Sequence, residues 1–276
     1  MDLVIQGFDI ETRDLKEIAK LSRATAIRQL APTAFGLASA HAHDDIAARC
    51  ERAQLDFGFV PEQRRLEDFR LLVMDMDSTL LTIETIDELA DMVGFKAQVA
   101  AITESAMRGE IEYNESLRRR VAVLKDLDEQ ALQRVYDERV RLTPGAEKLL
   151  SAAQQKGLRT LLVSGGFTYV TDRLKERLKL DFTRSNRLEI SNGKLTGQLV
   201  GDIVNADGKR DALIEVRDRL GIDRDRIVGI GDGANDLKFM AECGVSVAYH
   251  AKPIVRGQTT HAINHVDLTG VIYLFH

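Results

Sequence analysis

Short apolar runs alternate with amphipathic helical patterns along most of the chain from residue 71 onward. Five runs have the length and side chains of buried strands, at 71–74, 158–163, 226–230, 245–248 and 262–266. The segments between them carry residues typical of helix ends, such as Thr143-Pro144 at a start and Gly157, Gly221 and Gly244 at later ends. This alternation predicts an α/β fold, a doubly wound parallel sheet with crossover helices.

Two segments contain more predicted secondary structure than a single crossover helix. Residues 84–140 contain four amphipathic helical patterns and no strand-like run. Because they follow the first strand, we expect a helical cap above the carboxyl ends of the strands, where open α/β sheets bind ligands. Residues 188–196 centre on Asn192-Gly193, which predicts a β-hairpin inserted between the second and third strands.

The first 66 residues predict a separate small α+β domain. Strand patterns at 3–6, 25–30, 34–40 and 57–60 and helical patterns at 14–21 and 44–54 give the order βαββαβ. The polar segment 61–65 fits a linker to a second domain of residues 67–276. The element order is similar to that of ferredoxin-like ACT modules, which often bind amino acids, and a purely stabilising appendage fits it equally well.

Composition restricts the classes of function. The chain has 276 residues, 44% of them hydrophobic and 29% charged, which is typical of a folded globular protein. A net charge of -5, with residues 118–120 as the only run of three basic side chains, argues against nucleic-acid and anionic-membrane partners. There is no signal-peptide pattern, and Cys50 and Cys243 are isolated. We expect a cytoplasmic protein with a small-molecule partner, and both monomer and homodimer remain open.

Acidic side chains follow two of the predicted strands. Asp75 and Asp77 come after the first, and Asp232 and Asp236 come after the third. Parallel strands end at the same edge of a sheet, and two carboxylates about 4 Å apart repel by roughly 4 kcal/mol at an effective dielectric constant of about 20. Oxygen ligands without nearby Cys or His favour Mg²⁺, which removes that repulsion. Independent helix caps would explain each acid singly but not the adjacent glycines.

Two further patterns indicate a phosphate site at this edge. Ser164-Gly165-Gly166 follows the second strand, where glycine backbone, helix amides and a hydroxyl suit an anion. Lys209 lies in the first turn of a predicted helix, where the helix dipole disfavours a cation by about 0.3–1 kcal/mol. The alternatives are an ordinary turn at residues 164–166 and a solvated side chain at Lys209. We favour the phosphate site because both patterns are expected at the same edge of the sheet as the acidic residues.

Two charged residues in the predicted cap are candidates for binding a ligand. The helix around Leu117 and Val121 has an apolar face, and at about 100° per residue Arg120 falls beside it while Arg119 points away. A guanidinium in that position suits a bidentate grip on a carboxylate. Glu84, near the start of the first cap helix, fits either the helix dipole or a ligand ammonium group.

Four motifs together resemble those of the haloacid dehalogenase (HAD) superfamily in order and spacing. They are Asp75-Met76-Asp77-Ser78-Thr79, Ser164-Gly165-Gly166, Lys209 and Gly231-Asp232-Gly233-Ala234-Asn235-Asp236. The longer strings 75–88, 116–121, 163–167 and 229–236 are closer still to the superfamily members that hydrolyse phosphoserine, over about residues 70–256.

The resemblance implies Mg²⁺-dependent hydrolysis of O-phospho-L-serine to L-serine and phosphate, the last step of serine biosynthesis, through an aspartyl-phosphate. It makes Asp75 the nucleophile and Asp77 the general acid and base. The implied metal ligands are Asp75, the Asp77 carbonyl and Asp232, with Asp236 in support. The implied substrate contacts are Ser164, Gly165, Lys209 and Asn235 for the phosphate, Glu84 for the amino group, Arg120 for the carboxylate, and Met107 and Tyr113 for the pocket wall. Related enzymes carry Phe where this chain has Tyr113.

Three other interpretations remain at this point. A signalling receiver domain also gathers acids, Mg²⁺ and a lysine at a sheet edge, but it has no use for a general acid at Asp77 or for an insertion of this length. Another phosphate ester, such as a sugar phosphate, would keep the chemistry but offer no partner to Glu84 and Arg120. An amino-acid sensor built on residues 1–66 would leave the motifs of the second domain unexplained.

Overall fold

The computed structural model describes residues 1–275, the Met107 side chain excepted. The strands are β1 Asp2–Gln6, β2 Ala26–Ala31, β3 Ala34–Ala38, β4 Asp56–Val60, β5 Leu71–Met74, β6 Arg159–Phe167, β7 Phe182–Ser191, β8 Lys194–Val200, β9 Ile227–Gly231, β10 Val245–Tyr249 and β11 His261–Ile263. The helices are α1 Thr12–Leu21, α2 Asp45–Arg52, α3 Thr85–Met92, α4 Lys96–Met107, α5 Tyr113–Val123, α6 Gln130–Glu138, α7 Ala146–Gln155, α8 Thr168–Leu178, α9 Ala206–Leu220, α10 Leu237–Met240 and α11 Pro253–Arg256. No helix among residues 1–275 is long and apolar enough to cross a membrane.

The larger sheet has seven strands in the order β11-β10-β9-β5-β6-β7-β8. Strands β9, β10 and β11 pair in parallel, and so do β6 and β7. Strand β8 returns antiparallel to β7 around Asn192 and Gly193, both of which have positive φ. The predicted α/β fold with a mostly parallel sheet is therefore confirmed.

The hairpin differs from the prediction at its first strand. It is not a pure insertion, because β7 begins at Phe182 and pairs in parallel with β6 before it turns into the hairpin. Residues 182–186 are only partly buried at most positions. They therefore lack the continuous apolar run that revealed the other parallel strands.

The described residues divide into two compact units. The first comprises residues 1–72, 144–159 and 221–275, and the second comprises residues 73–143 and 160–220. The sequence-based domain boundary near residue 66 and the cap limits of 84 and 140 remain predictions.

Within the first unit, the N-terminal elements follow the predicted βαββαβ order. Their antiparallel sheet has the strand order β2-β3-β1-β4, the ferredoxin-like arrangement. The apolar faces of α1 and α2 cover one side of this sheet. The buried core consists of Leu3, Ile5, Leu15, Ile18, Leu37, Ala40, Ile46, Cys50 and Leu55.

One buried carboxylate ties this small sheet to the C-terminal segment of the same unit. Asp56, at the start of β4, accepts the backbone N–H of Asn264 on Oδ1 at 2.7 Å. Its Oδ2 accepts the backbone N–H groups of His265 at 2.8 Å and Val266 at 3.0 Å. Three amides that follow β11 thus depend on one side chain for their hydrogen bonds.

The second unit contains the four helices predicted between residues 84 and 140, which are α3 to α6. They share a core with the β7–β8 hairpin and the end of β6. Its buried members are Ile86, Leu89, Ala90, Val99, Leu117, Val121, Leu124, Leu132, Val135, Phe167, Leu188 and Leu195.

The turn after α5 is also bonded to the hairpin through the backbone. The N–H of Asp126 donates to the Leu195 carbonyl at 2.9 Å, and the N–H of Leu195 donates to the Leu127 carbonyl at 2.8 Å. Gly197, with φ near +81°, lies against α5: a Cβ there would be 3.0 Å from the Lys125 Cβ and 3.3 Å from the Ala122 backbone. The absence of a side chain at residue 197 is what lets α5 and β8 approach so closely.

Replacing Gly197 with alanine is therefore expected to lower the free energy of unfolding. The left-handed backbone costs an L-residue about 1–2 kcal/mol, and the added methyl group must displace α5 at a further roughly 1–3 kcal/mol. Gly193→Ala is the matched control, because Gly193 has a similar φ of +73° and nothing within 4 Å of its added Cβ. Urea unfolding of both variants measures the difference, and equal losses would contradict the packing argument.

Candidate active site

Asp75 is the first residue after β5 and is held in a defined orientation. Its Oδ1 accepts the backbone N–H of Met76 at 2.7 Å and lies 2.8 Å from the Lys209 Nζ. Both Asp75 and Lys209 are buried, Lys209 completely. Negative charge nearby stabilises a buried ammonium group, so the carboxylate of Asp75 offsets the unfavourable position of Lys209 at the start of α9.

Asp77 lies in the irregular turn after Asp75 and is held by the first cap helix. Its Oδ1 accepts the backbone N–H of Thr85 and its Oδ2 accepts the Thr85 hydroxyl, each at 3.2 Å. Burial raises the pKa of Asp77 well above its ordinary value, and the charge of Glu84 raises the pKa further, against the lowering effect of the Thr85 hydrogen bonds. These surroundings favour a proton on Asp77, as a general acid requires.

The glycines near the end of β6, Gly165 and Gly166, allow the chain to pass close to these acids. The pairing of β6 with β7 shifts in register between Val163 and Phe167, so the backbone of residues 164–166 leaves the regular ladder. A Cβ on Gly166 would lie 2.6 Å from the Met76 Cε and 2.9 Å from the Asp77 Oδ2. The Ser164 hydroxyl accepts the Gly166 N–H at 2.8 Å, which leaves its own proton to donate.

Two asparagines that sequence reasoning missed hold this loop and α9 in place. Asn186 of β7 donates its amide to the Gly165 carbonyl and accepts the Val204 N–H, both at 2.8 Å. Asn205 accepts the Gly208 N–H at the start of α9 and donates to the Asn114 side chain of α5 at 3.0 Å. Neither belongs to a recognisable motif, although Asn is typical of the residue before a helix.

The cap contributes a carboxylate and a guanidinium. Glu84 accepts a hydrogen bond from the Ser78 hydroxyl at 2.7 Å. Partial desolvation raises the pKa of Glu84, while the charge of Arg120 is close enough to lower it. The Nε atom of Arg120 is buried and has no hydrogen-bond partner among the described residues. A buried donor of this kind is costly unless a ligand completes its hydrogen bonds.

The acidic residues after β9 form a second defined turn. Asp236 is fully buried, and its Oδ2 accepts the backbone N–H groups of Asp232 at 3.2 Å and Gly233 at 3.0 Å. Carboxylate oxygens such as those of Asp232 and Asp236 are ligands that a hard divalent cation prefers.

Three further predicted residues are Tyr113, Asn235 and Met107. Tyr113, the first residue of α5, is half-buried with its hydroxyl against Gly165. Asn235 is half-buried in the turn before Asp236. The Met107 side chain lies outside the described part of the chain. The assigned role of each residue in this site remains a prediction.

Comparison with family models and with individual proteins gives the same family for this chain. Residues 72–241 match the haloacid dehalogenase-like hydrolase family, and residues 3–46 match a domain of unknown function. The phosphoserine phosphatase of Polaromonas sp. is 53% identical over 215 residues, which cover 76% of this chain and 91% of that protein.

Solved structures agree with this family. The crystal structure of the unliganded probable phosphoserine phosphatase from Vibrio cholerae matches with a TM-score of 0.87 and 34% identity, covering 99% of this chain and 86% of that one. A substrate-bound phosphoserine phosphatase complex matches with a TM-score of 0.71 and 35% identity, covering 75% and 99%. The chain therefore belongs to the haloacid dehalogenase-like hydrolases and, among them, to the phosphoserine phosphatases.

Proposed function

We propose that this chain hydrolyses O-phospho-L-serine to L-serine and inorganic phosphate, with Mg²⁺ as cofactor. The observation that carries the proposal is the buried, unpartnered Nε of Arg120 in the same unit as the Asp75–Lys209 pair. A substrate with a carboxylate for Arg120 and a phosphate for Lys209 satisfies both groups. The names of the similar proteins support this choice of substrate.

The first half of the reaction transfers the phosphoryl group to Asp75. A carboxylate oxygen of Asp75 attacks phosphorus as the bond from phosphorus to the serine oxygen breaks. Asp77 gives its proton to the departing oxygen, which would otherwise leave as an unstable alkoxide. Lys209, 2.8 Å from the nucleophile, stabilises the negative charge of the transferring group.

The second half returns Asp75 to its starting state. Asp77, now a carboxylate, takes a proton from water as the water oxygen attacks phosphorus. The bond between Asp75 and phosphorus breaks, phosphate leaves, and Asp77 is again protonated. The two hydrogen bonds from Thr85 hold Asp77 in one orientation for both proton transfers.

The other candidate residues bind rather than react. Glu84 pairs with the substrate ammonium and Arg120 with its carboxylate. The Ser164 hydroxyl, the Gly165 amide and Asn235 donate to phosphate oxygens. Met107 and Tyr113 shape the wall of the pocket.

Asp75, Asp232 and Asp236 would hold the cation, with the Asp77 carbonyl as a further predicted ligand. Bound Mg²⁺ supplies positive charge that offsets the clustered carboxylates and the phosphate. A cytoplasmic location stays a prediction of the sequence, as does the choice between monomer and homodimer.

One assay tests reaction, substrate and metal together. Phosphate release is measured from phosphoserine, phosphoethanolamine and p-nitrophenyl phosphate, with Mg²⁺ and with excess chelator. We expect kcat/KM to be highest for phosphoserine, and we expect chelation to stop release until Mg²⁺ is added back. Turnover of p-nitrophenyl phosphate alone would contradict the substrate, and an undiminished rate in chelator would contradict the metal.

A further inference from the structure

The Tyr113 hydroxyl lies against the backbone of Gly165, a contact that an apolar pocket wall would not need. It lies directly over the backbone of Gly165, so closely that any side chain at residue 165 would collide with it. Tyr113 is the first residue of α5, and Gly165 belongs to the loop after the regular part of β6. The hydroxyl therefore covers the same backbone segment that the proposed function assigns to phosphate binding.

The charged groups around Tyr113 are those of the reaction. Burial raises the pKa of the Tyr113 hydroxyl, the charges of Lys209 and Arg120 lower it, and those of Asp75 and Asp77 raise it. None of the hydrogen bonds between the described groups involves the Tyr113 hydroxyl. Asn114, the next residue, is bonded to Asn205, which fixes the start of α5 beside α9. The hydrogen bond of Asn114 thus fixes the chain beside Tyr113, and the Tyr113 hydroxyl carries a proton that it can donate to a ligand.

We propose that the Tyr113 hydroxyl donates a hydrogen bond to the phosphoryl group of the substrate. This inference rests on the proposed function and adds a residue to it. A phosphoryl oxygen bound by the Ser164 hydroxyl and the Gly165 amide lies along the backbone that Tyr113 covers, so a phenolic donor there reaches it directly. The donor is neutral and comes from the cap helix, so it adds no further charge beside Lys209.

The test is Tyr113→Phe, which removes the hydroxyl and keeps the ring. We expect kcat/KM to fall by about 10- to 100-fold, the effect of a lost hydrogen bond to a charged group. The fall should be similar for phosphoserine and for p-nitrophenyl phosphate, because both contain the phosphoryl group. Inhibition by inorganic phosphate should weaken as well, with an inhibition constant raised about 10-fold or more.

Tyr169→Phe is the matched control. The Tyr169 hydroxyl donates to the Gln133 side chain at 2.7 Å on an exposed part of the same unit, so its removal should leave kcat/KM and phosphate inhibition unchanged. Unaltered thermal unfolding of Tyr113→Phe excludes a folding defect.

Three results would overturn the inference. These are no loss in Tyr113→Phe, an equal loss in Tyr169→Phe, or a loss confined to phosphoserine, which would assign the hydroxyl to the serine part of the substrate. A wild-type protein that cleaves p-nitrophenyl phosphate but not phosphoserine would contradict the proposed substrate alone. The inference about Tyr113 would then still be decided by p-nitrophenyl phosphate and by phosphate inhibition.

Discussion

Replacing Asp75 with asparagine is expected to reduce phosphate release from phosphoserine by about 10⁴-fold or more. The substitution keeps the size of the side chain and an oxygen that can accept from Met76 and face Lys209. It removes the carboxylate that attacks phosphorus, and loss of a nucleophile is among the largest single effects in enzyme variants. Rapid quenching with labelled phosphoserine should trap phosphate on the wild-type protein and none on this variant.

Asp172→Asn provides the control for the loss of one carboxylate. Asp172 is exposed on α8, so this variant should keep full activity. If Asp75→Asn retained more than about a tenth of the wild-type rate, or still carried trapped phosphate, Asp75 would not be the nucleophile. Coincident unfolding curves for the two variants would attribute the loss to chemistry and not to folding.

Arg120→Ala is expected to lower kcat/KM for phosphoserine by roughly 10²- to 10³-fold, since a buried charge pair is lost. Phosphoethanolamine has the phosphate and the ammonium group but no carboxylate, so its kcat/KM should change little. The preference of the enzyme for phosphoserine should therefore fall by nearly the whole factor. Steady-state rates for the two esters, measured on the same preparation, give this ratio.

The neighbouring residue supplies the control. Arg119 also lies on α5, but its guanidinium donates to Glu115 at 2.7 Å on the exposed face of the helix. Arg119→Ala should leave both esters unaffected. Equal losses for phosphoserine and phosphoethanolamine in Arg120→Ala would instead indicate that Arg120 supports the fold of the cap.

The sequence predicted those parts of the site that depend on short continuous stretches of the chain. A buried strand followed by acids gives both the strand and its end, and so the positions of Asp75 and Asp232 followed from strand assignment. The orientation of Arg120 followed from helical periodicity. The four cap helices and the βαββαβ order have equally clear repeats of apolar positions.

The parts that escaped prediction depend on contacts between distant residues. Asn186 bonds to Gly165 across 21 positions and Asn205 bonds to Asn114 across 91, and no local pattern encodes such pairs. The sequence assigns no individual role to Thr85, although Thr85 holds Asp77 through two atoms. The parallel portion of β7 was missed because its partly exposed side chains do not form an apolar run.

The carboxylate of Asp56 makes the N-terminal module hard to exchange. A replacement module without an acceptor at the position of Asp56 would leave the three backbone N–H groups of residues 264–266 unpaired, and each one that stays buried costs about 1–3 kcal/mol. Recombination that replaces this module must therefore bring an acidic residue to the start of the fourth strand. Asp56 and the 264–266 backbone therefore have to be exchanged together, although more than 200 positions separate them along the chain.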